Sequence, residues 1–217
     1  IEELSTDATG EVIGVAGDVG DKEDLESIVE TASERFGTVD VLVNNAAVWP
    51  REESMIDADL EDWDYTFAVN VRSQFYLSKL VAENMIENDI QGSIINITSQ
   101  AGDRRAEGFG IYGVTNTAIN GLTWRMAHDF AEHGIRVNAV STATTETHQL
   151  HIGASEEAEN RSGVSKDEVL TEWGDEIPLG RLGQPSDLAD GVLFLASDKA
   201  EYVVGDILRI SGGGNLQ

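Results

Sequence analysis

Ser93-Ile94-Ile95-Asn96-Ile97-Thr98-Ser99, then a helical repeat through Ala118, Ile119, Leu122 and Met126, then Arg136-Val137-Asn138-Ala139-Val140-Ser141 is the stretch that decides the fold. Both outer runs have strand length, and their apolar residues are not spaced by strict alternation, as expected of strands buried on two faces. A strand, a helix over Val114 to Phe130 and a second strand make a crossover unit, and crossover units build parallel sheets.

The same pattern recurs on either side. Val12 to Val19, Val39 to Asn44 and Asp206 to Ser211 read as three further strands, giving five. Leu25, Ile28, Val29, Ala32 and Phe36 recur at helical spacing, with Asp21 as N-cap and Asp24 three residues on. A longer helix is expected from about Leu60 to Glu87, capped by Asp59, with Trp63, Phe67, Val71, Leu77, Val81 and Met85 turned inward. Residues 142–176 are polar and poor in core positions, so they read as an excursion over the end of the sheet and not as a second domain. Within them Ser165-Lys166-Asp167-Glu168 is a capping box that opens a short helix, and Gln184-Pro185-Ser186-Asp187 opens a last one through Leu188, Val192 and Leu195. The expectation is one α/β domain over residues 1–217.

Composition narrows the functions. With no cysteine, disulfides, thiolate metal sites and cysteine nucleophiles are excluded. No apolar run reaches the roughly 20 residues that span a bilayer. The start Ile1-Glu2-Glu3-Leu4 is acidic where a secretory signal is basic, so a cytoplasmic location is expected, with no membrane partner. That start, lacking Met, also reads as trimmed or incomplete. Forty acidic residues against 14 basic ones give a net charge of −26, and only Lys22, Lys79, Lys166 and Lys199 are lysines. The acidic residues are spread rather than clustered, which reads as a halophilic adaptation of the haloarchaeal kind, with salt screening the self-repulsion. Nucleic acid is excluded as a partner because phosphate recognition needs a basic footprint.

Three short segments carry chemistry. Asn44-Asn45-Ala46-Ala47 directly follows Val41-Leu42-Val43; Asn70 lies in Phe67-Ala68-Val69-Asn70-Val71; and Ser99 precedes Tyr112 by 13 residues. Together with Gly134-Ile135-Arg136-Val137-Asn138-Ala139-Val140 and Gly205-Asp206-Ile207-Leu208-Arg209-Ile210-Ser211-Gly212-Gly213, these resemble the short-chain dehydrogenase/reductase family along nearly the whole chain. The resemblance implies a Rossmann-like parallel sheet with helices on both faces, NAD or NADP as coenzyme, and oxidoreduction of a small alcohol or ketone. It also implies Tyr112 as acid/base, Ser99 as the hydroxyl that polarises the substrate oxygen, and Asn70 as the helix-bending residue that orders a relay water. Coenzyme contacts carried over are Asp18, Val19, Asn44, Ala46 and Thr147, and residues 142–176 become the substrate loop. A homo-oligomer, or assembly with an intact paralogue through the Val114 to Phe130 helix, is implied as well.

Departures from the pattern set a further expectation. Asn116 stands one turn after Tyr112 where the family has lysine, and Thr142-Ala143 stands where it has Pro-Gly. A cation within about 4 to 6 Å is what favours a phenolate near neutrality, and an amide lacks that charge. Arg125 lies nine residues beyond Asn116, on the opposite helix face, and Arg104 and Arg105 read as exposed loop residues. Thr9-Gly10-Glu11-Val12-Ile13-Gly14-Val15-Ala16-Gly17 does not have the strand and helix that frame a phosphate loop, so the first βαβ unit reads as absent. The Val12 strand is then expected beside the Val39 strand, or else that edge is left open for a partner. The whole predicts a weak or inactive enzyme that serves as a structural or binding subunit; the alternative is a working oxidoreductase using Tyr112. His148, His151 and Glu146 read as part of a flexible loop, with no metal.

Overall fold

The computed structural model describes residues 10–50, 54–103 and 109–216. Strands β1 (Val41–Asn44), β2 (Ser93–Ser99), β3 (Arg136–Thr142) and β4 (Ile207–Ile210) form a parallel sheet in the order β1-β2-β3-β4. Ser99 pairs with Thr142 and Thr142 with Ile210, so β2, β3 and β4 end level along one edge, while Asn44, the last residue of β1, pairs with Asn96. Helix α1 (Lys22–Phe36) precedes β1; α2 (Leu60–Phe67) and α3 (Ser73–Glu87) link β1 to β2; α4 (Gly110–Phe130) links β2 to β3. The excursion after β3 holds α5 (His148–Asn160) and α6 (Lys166–Asp175), and α7 (Pro185–Ala196) leads into β4.

Residues alternate across a strand, and that alternation sorts the core into two layers. Ile94 and Val137 pack with Val81, Met85, Met126 and Ala127 of α3 and α4. Ile95 and Val140 pack on the other face with Leu195 of α7 and Ala200. The layer toward α4 is partly polar, and its amides bond to one another and to neighbouring hydroxyls. Asn96 donates to Thr123 at 2.9 Å and accepts from Asn44 at 2.9 Å, and Asn44 also donates to Ser78 at 2.9 Å. Burying amides this deeply is tolerated only because they are bonded to one another. No helix among the described residues is long and apolar enough to cross a membrane.

The structure departs from expectation in five places. Residues 12–19 form no strand, because a strand exists through a ladder partner and neither sheet edge pairs with them. The open-edge alternative holds instead: among the described residues β1 ends the sheet, and Val41 and Val43, in register with Ser93 and Ile95 on the face that carries α7, are 42% and 40% exposed. The expected helix from Leu60 to Glu87 is interrupted by a π-helical turn, Ala68–Arg72, which contains Asn70. Helix α4 begins at Gly110, which puts Tyr112 inside its first turn. The excursion contains α5, whose only buried residue is Ala154 and whose apolar stripe is therefore faint. Helix α6 starts as expected, with Ser165 accepting from the Glu168 N–H at 3.3 Å and Glu168 accepting from the Ser165 N–H at 2.7 Å. Asp21 and Asp59 cap α1 and α2. Asp24 does not complete a box with Asp21, because its carboxylate accepts from the Asp18 N–H at 2.7 Å.

Candidate functional site

Ser99 ends β2, and its hydroxyl accepts from the Ala101 N–H at 3.2 Å, turning the chain back against α4. Gly102 makes that approach possible, since a Cβ there would lie 2.7 Å from the main-chain carbonyl carbon of Asn116. Tyr112 lies on the facing first turn of α4, and the side chains that act on its phenol are those of Ser99 and Asn116. Burial pushes the phenol above its usual value of 10.0, while these two side chains pull it part of the way back. No charged group among the described residues acts on it.

Asn116 is buried and hydrogen-bonded at both ends of its amide. Its Nδ2 donates to the Tyr112 carbonyl at 2.8 Å, and its Oδ1 lies 3.2 Å from the Thr98 hydroxyl, which is also 3.1 Å from Asn120 Oδ1. Asn120 in turn donates to Asp103 at 3.3 Å, and Asp103 is held by Arg209 at 2.8 Å. The cation on this chain of bonds is therefore several links from Tyr112 and already neutralised. Arg125 is exposed on α4, and Arg104 and Arg105 lie outside the described residues.

Asn70 is fully buried in the π turn. Its Oδ1 accepts from the Val48 N–H at 2.8 Å, and its Nδ2 donates to the Val48 carbonyl at 2.9 Å and to Thr115 Oγ1 at 3.2 Å. The Thr115 hydroxyl donates to the Tyr112 carbonyl at 2.9 Å. One amide thus ties the segment after β1 to the turn carrying Tyr112. Asn70→Ala is expected to cost about 1–3 kcal/mol by leaving buried groups unpaired, read as a lower denaturant midpoint with an unchanged slope.

The remaining residues lie along the carboxyl ends of the strands, where open α/β sheets bind ligands. Asp18 accepts from the Gly20 N–H at 2.7 Å, shaping the turn into α1. Val19, Asn44, Asn45 and Ala46 border a groove of about 270 Å³ between α1, β1 and α3. The Asn44 side chain itself is spent on Ser78 and Asn96, and its Oδ1 is buried without a hydrogen bond. Thr147 caps α5, accepting from the Leu150 N–H at 3.3 Å, and is exposed. Glu146 joins Gln184 at 2.7 Å and His151 at 3.2 Å, and these contacts, Gln184 foremost, hold its carboxyl below the usual range. Among the described residues no group of three or more histidines, aspartates or glutamates could hold a metal ion. Four residues of the site carried no sequence signal of their own: Thr98, Thr115, Asn120 and Trp49, whose indole stacks on Tyr112.

Comparison with known proteins bears on this geometry. The family model described as enoyl-(acyl carrier protein) reductase matches residues 1–215. An uncharacterised oxidoreductase of Thermotoga maritima is 37% identical over 97% of this chain and 80% of its own length. Dehydrogenase/reductase SDR family member 4 of Caenorhabditis elegans is 34% identical over 98% of this chain and 79% of its own. Among solved structures, ligand-free aldohexose dehydrogenase of Thermoplasma acidophilum superposes with a TM-score of 0.86 at 28% identity, covering 94% of this chain and 78% of that one. ElxO with NADP bound gives 0.81 at 28% identity, covering 93% and 77%. NAD+-bound xylitol dehydrogenase gives 0.82 at 28% identity, covering 92% and 78%.

Proposed function

The chain belongs to the short-chain dehydrogenase/reductase family, and from that premise we propose that it is an NAD(P)-dependent oxidoreductase interconverting an alcohol and its carbonyl partner, slow near neutral pH. The observation that carries the reading is the convergence of Ser99, Tyr112 and Asn116 at the carboxyl end of β2, with a phenol that no charge assists.

By the family resemblance, Asp18 and Val19 would take the adenosine end of a pyridine dinucleotide, Ala46 and the Asn44 main chain its middle, and Thr147 the nicotinamide amide; that Val19, Asn44 and Ala46 border one groove supports this reading. When bound, the coenzyme supplies or accepts the hydride at the substrate carbon. The chain handles the proton. In reduction the Tyr112 hydroxyl gives its proton to the carbonyl oxygen while the Ser99 hydroxyl donates a hydrogen bond to that oxygen. In oxidation the Tyr112 phenolate takes the alcohol proton, so the required form becomes scarcer as pH falls below the raised phenol value. Ser99→Ala is expected to lower kcat by about 10²-fold with a smaller change in KM, the effect of removing one oxyanion donor.

A non-catalytic subunit is the second reading, and the neutral, hydrogen-bonded Asn116 favours it. Exposed Phe75 on α3 and Val114 and Trp124 on α4 support assembly, with itself or with an intact relative. Titration with NADH and with NADPH in molar KCl, chosen because a charge of −26 calls for screening, separates the readings. Saturable nicotinamide fluorescence with Kd of about 1 μM to 100 μM for one coenzyme supports the oxidoreductase. No saturable signal together with no turnover supports the subunit.

A further inference from the structure

Trp49 stands against the acid/base residue. Its indole stacks on the Tyr112 ring with centroids 5.6 Å apart and planes 29° from parallel, and on Phe109 at 6.1 Å and 25°. These contacts do not cover it, for Trp49 remains 42% exposed. Its place is nevertheless enforced. The preceding residue, Val48, is gripped through both main-chain groups by Asn70, whose amide also reaches Thr115 and through it the turn of Tyr112. A partly exposed indole is thus held against the ring whose hydroxyl would move the proton.

We propose that Trp49 is the specificity-determining residue of this site, its exposed indole surface stacking on the saturated ring of a neutral cyclic secondary alcohol or ketone so that the ring carbon bearing oxygen meets Tyr112. The inference rests on the oxidoreductase reading and adds the substrate class to it. A rigid indole loses little conformational freedom when covered, and a ring matches its flat area without freezing torsions of its own. A linear alcohol must freeze several torsions to make the same contact. A neutral substrate matches the site, since no charged group among the described residues acts on Tyr112 and none is therefore at hand to pair with a charged one. The C–H face of the ring is the recognised feature, whether the ring is a hydrocarbon or a polyol.

The test compares cyclohexanol and myo-inositol with 2-hexanol as substrates of the intact chain. At least one ring alcohol is expected to exceed 2-hexanol in kcat/KM by about 10-fold or more, the scale of a hydrophobic pocket contact. Trp49→Ala should raise the ring alcohol's KM by about 10-fold with little change in kcat, leave 2-hexanol unaffected, and be largely rescued by Trp49→Phe. An equal loss on ring and linear substrates, or a loss confined to kcat, overturns the proposal. Binding is read separately, without coenzyme, as a blue shift of indole emission when a ring alcohol is added, present in the wild type and absent in Trp49→Phe. No shift with either ring overturns the proposal. A shift in a chain that turns over no alcohol supports the stacking face and sinks the oxidoreductase reading instead.

Discussion

Tyr112→Phe is expected to lower turnover in both directions by about 10²- to 10⁴-fold, the range lost with a positioned acid/base group. The substitution deletes one oxygen and keeps the ring, so the stack with Trp49 at 5.6 Å is retained. The groups left behind are not orphaned. Ser99 still accepts from the Ala101 N–H, and Asn116 keeps its bonds to the Tyr112 carbonyl and Thr98, all of which involve main chain or other side chains. Coenzyme Kd should therefore stay within about 2-fold and thermal stability should not fall, because no buried partner is left unsatisfied. Turnover that survives this change would place the proton donor elsewhere.

Asn116→Lys is expected to act in the opposite sense, raising alcohol oxidation near pH 8 by about 10- to 100-fold. A cation beside the phenol favours its charged form and lowers its apparent pKa by about 1–3 units. The sign follows from the wild-type phenol, which burial raises: below that raised value it is protonated and cannot accept the alcohol's proton. Lysine removes the Oδ1 that faces Thr98, but the Thr98 hydroxyl still has Asn120 Oδ1 at 3.1 Å and the residue 116 carbonyl at 3.3 Å. Asn116→Met, matched in length and uncharged, should give no such gain. Equal gains from lysine and methionine would assign the effect to packing.

These two results turn on residues that were readable in different degrees. β2 and β3 were legible because both faces of each are covered, which makes nearly every position buried. Ser99 and Tyr112 were legible by their spacing and flanks and Asn70 by the family resemblance of its segment, and the structure brings the first two together and joins Asn70 to the same turn through Thr115. The run from Val12 to Val19 has strand composition, yet composition cannot supply a ladder partner, and none of the sheet's strands pairs with it. Helix α5 was hidden because it buries a single alanine, which leaves no periodic signal. Trp49 was hidden for a related reason: its partner rings lie some 60 residues away in sequence, in α4's first turn and just before it, and nothing local marks the contact.

The polar chain from Asn116 through Thr98 and Asn120 to Asp103 and Arg209 gives the substitution at residue 116 a physical context. Every side chain along it already has a partner, and its one ion pair, Asp103 with Arg209, lies at the end away from Tyr112. Rigid positioning preserves orientation, and orientation is a large share of catalysis. What the site lacks is the means to lower the phenol's pKa.

The pH dependence of alcohol oxidation by the wild-type chain tests this most directly. With a phenol raised above 10.0 and no cation beside it, log(kcat/KM) should climb by about one unit per pH unit from pH 7 and show no plateau below pH 10. A plateau reached at or below about pH 8 would mean that some other group is the base, or that a cation does reach Tyr112, and would contradict the account.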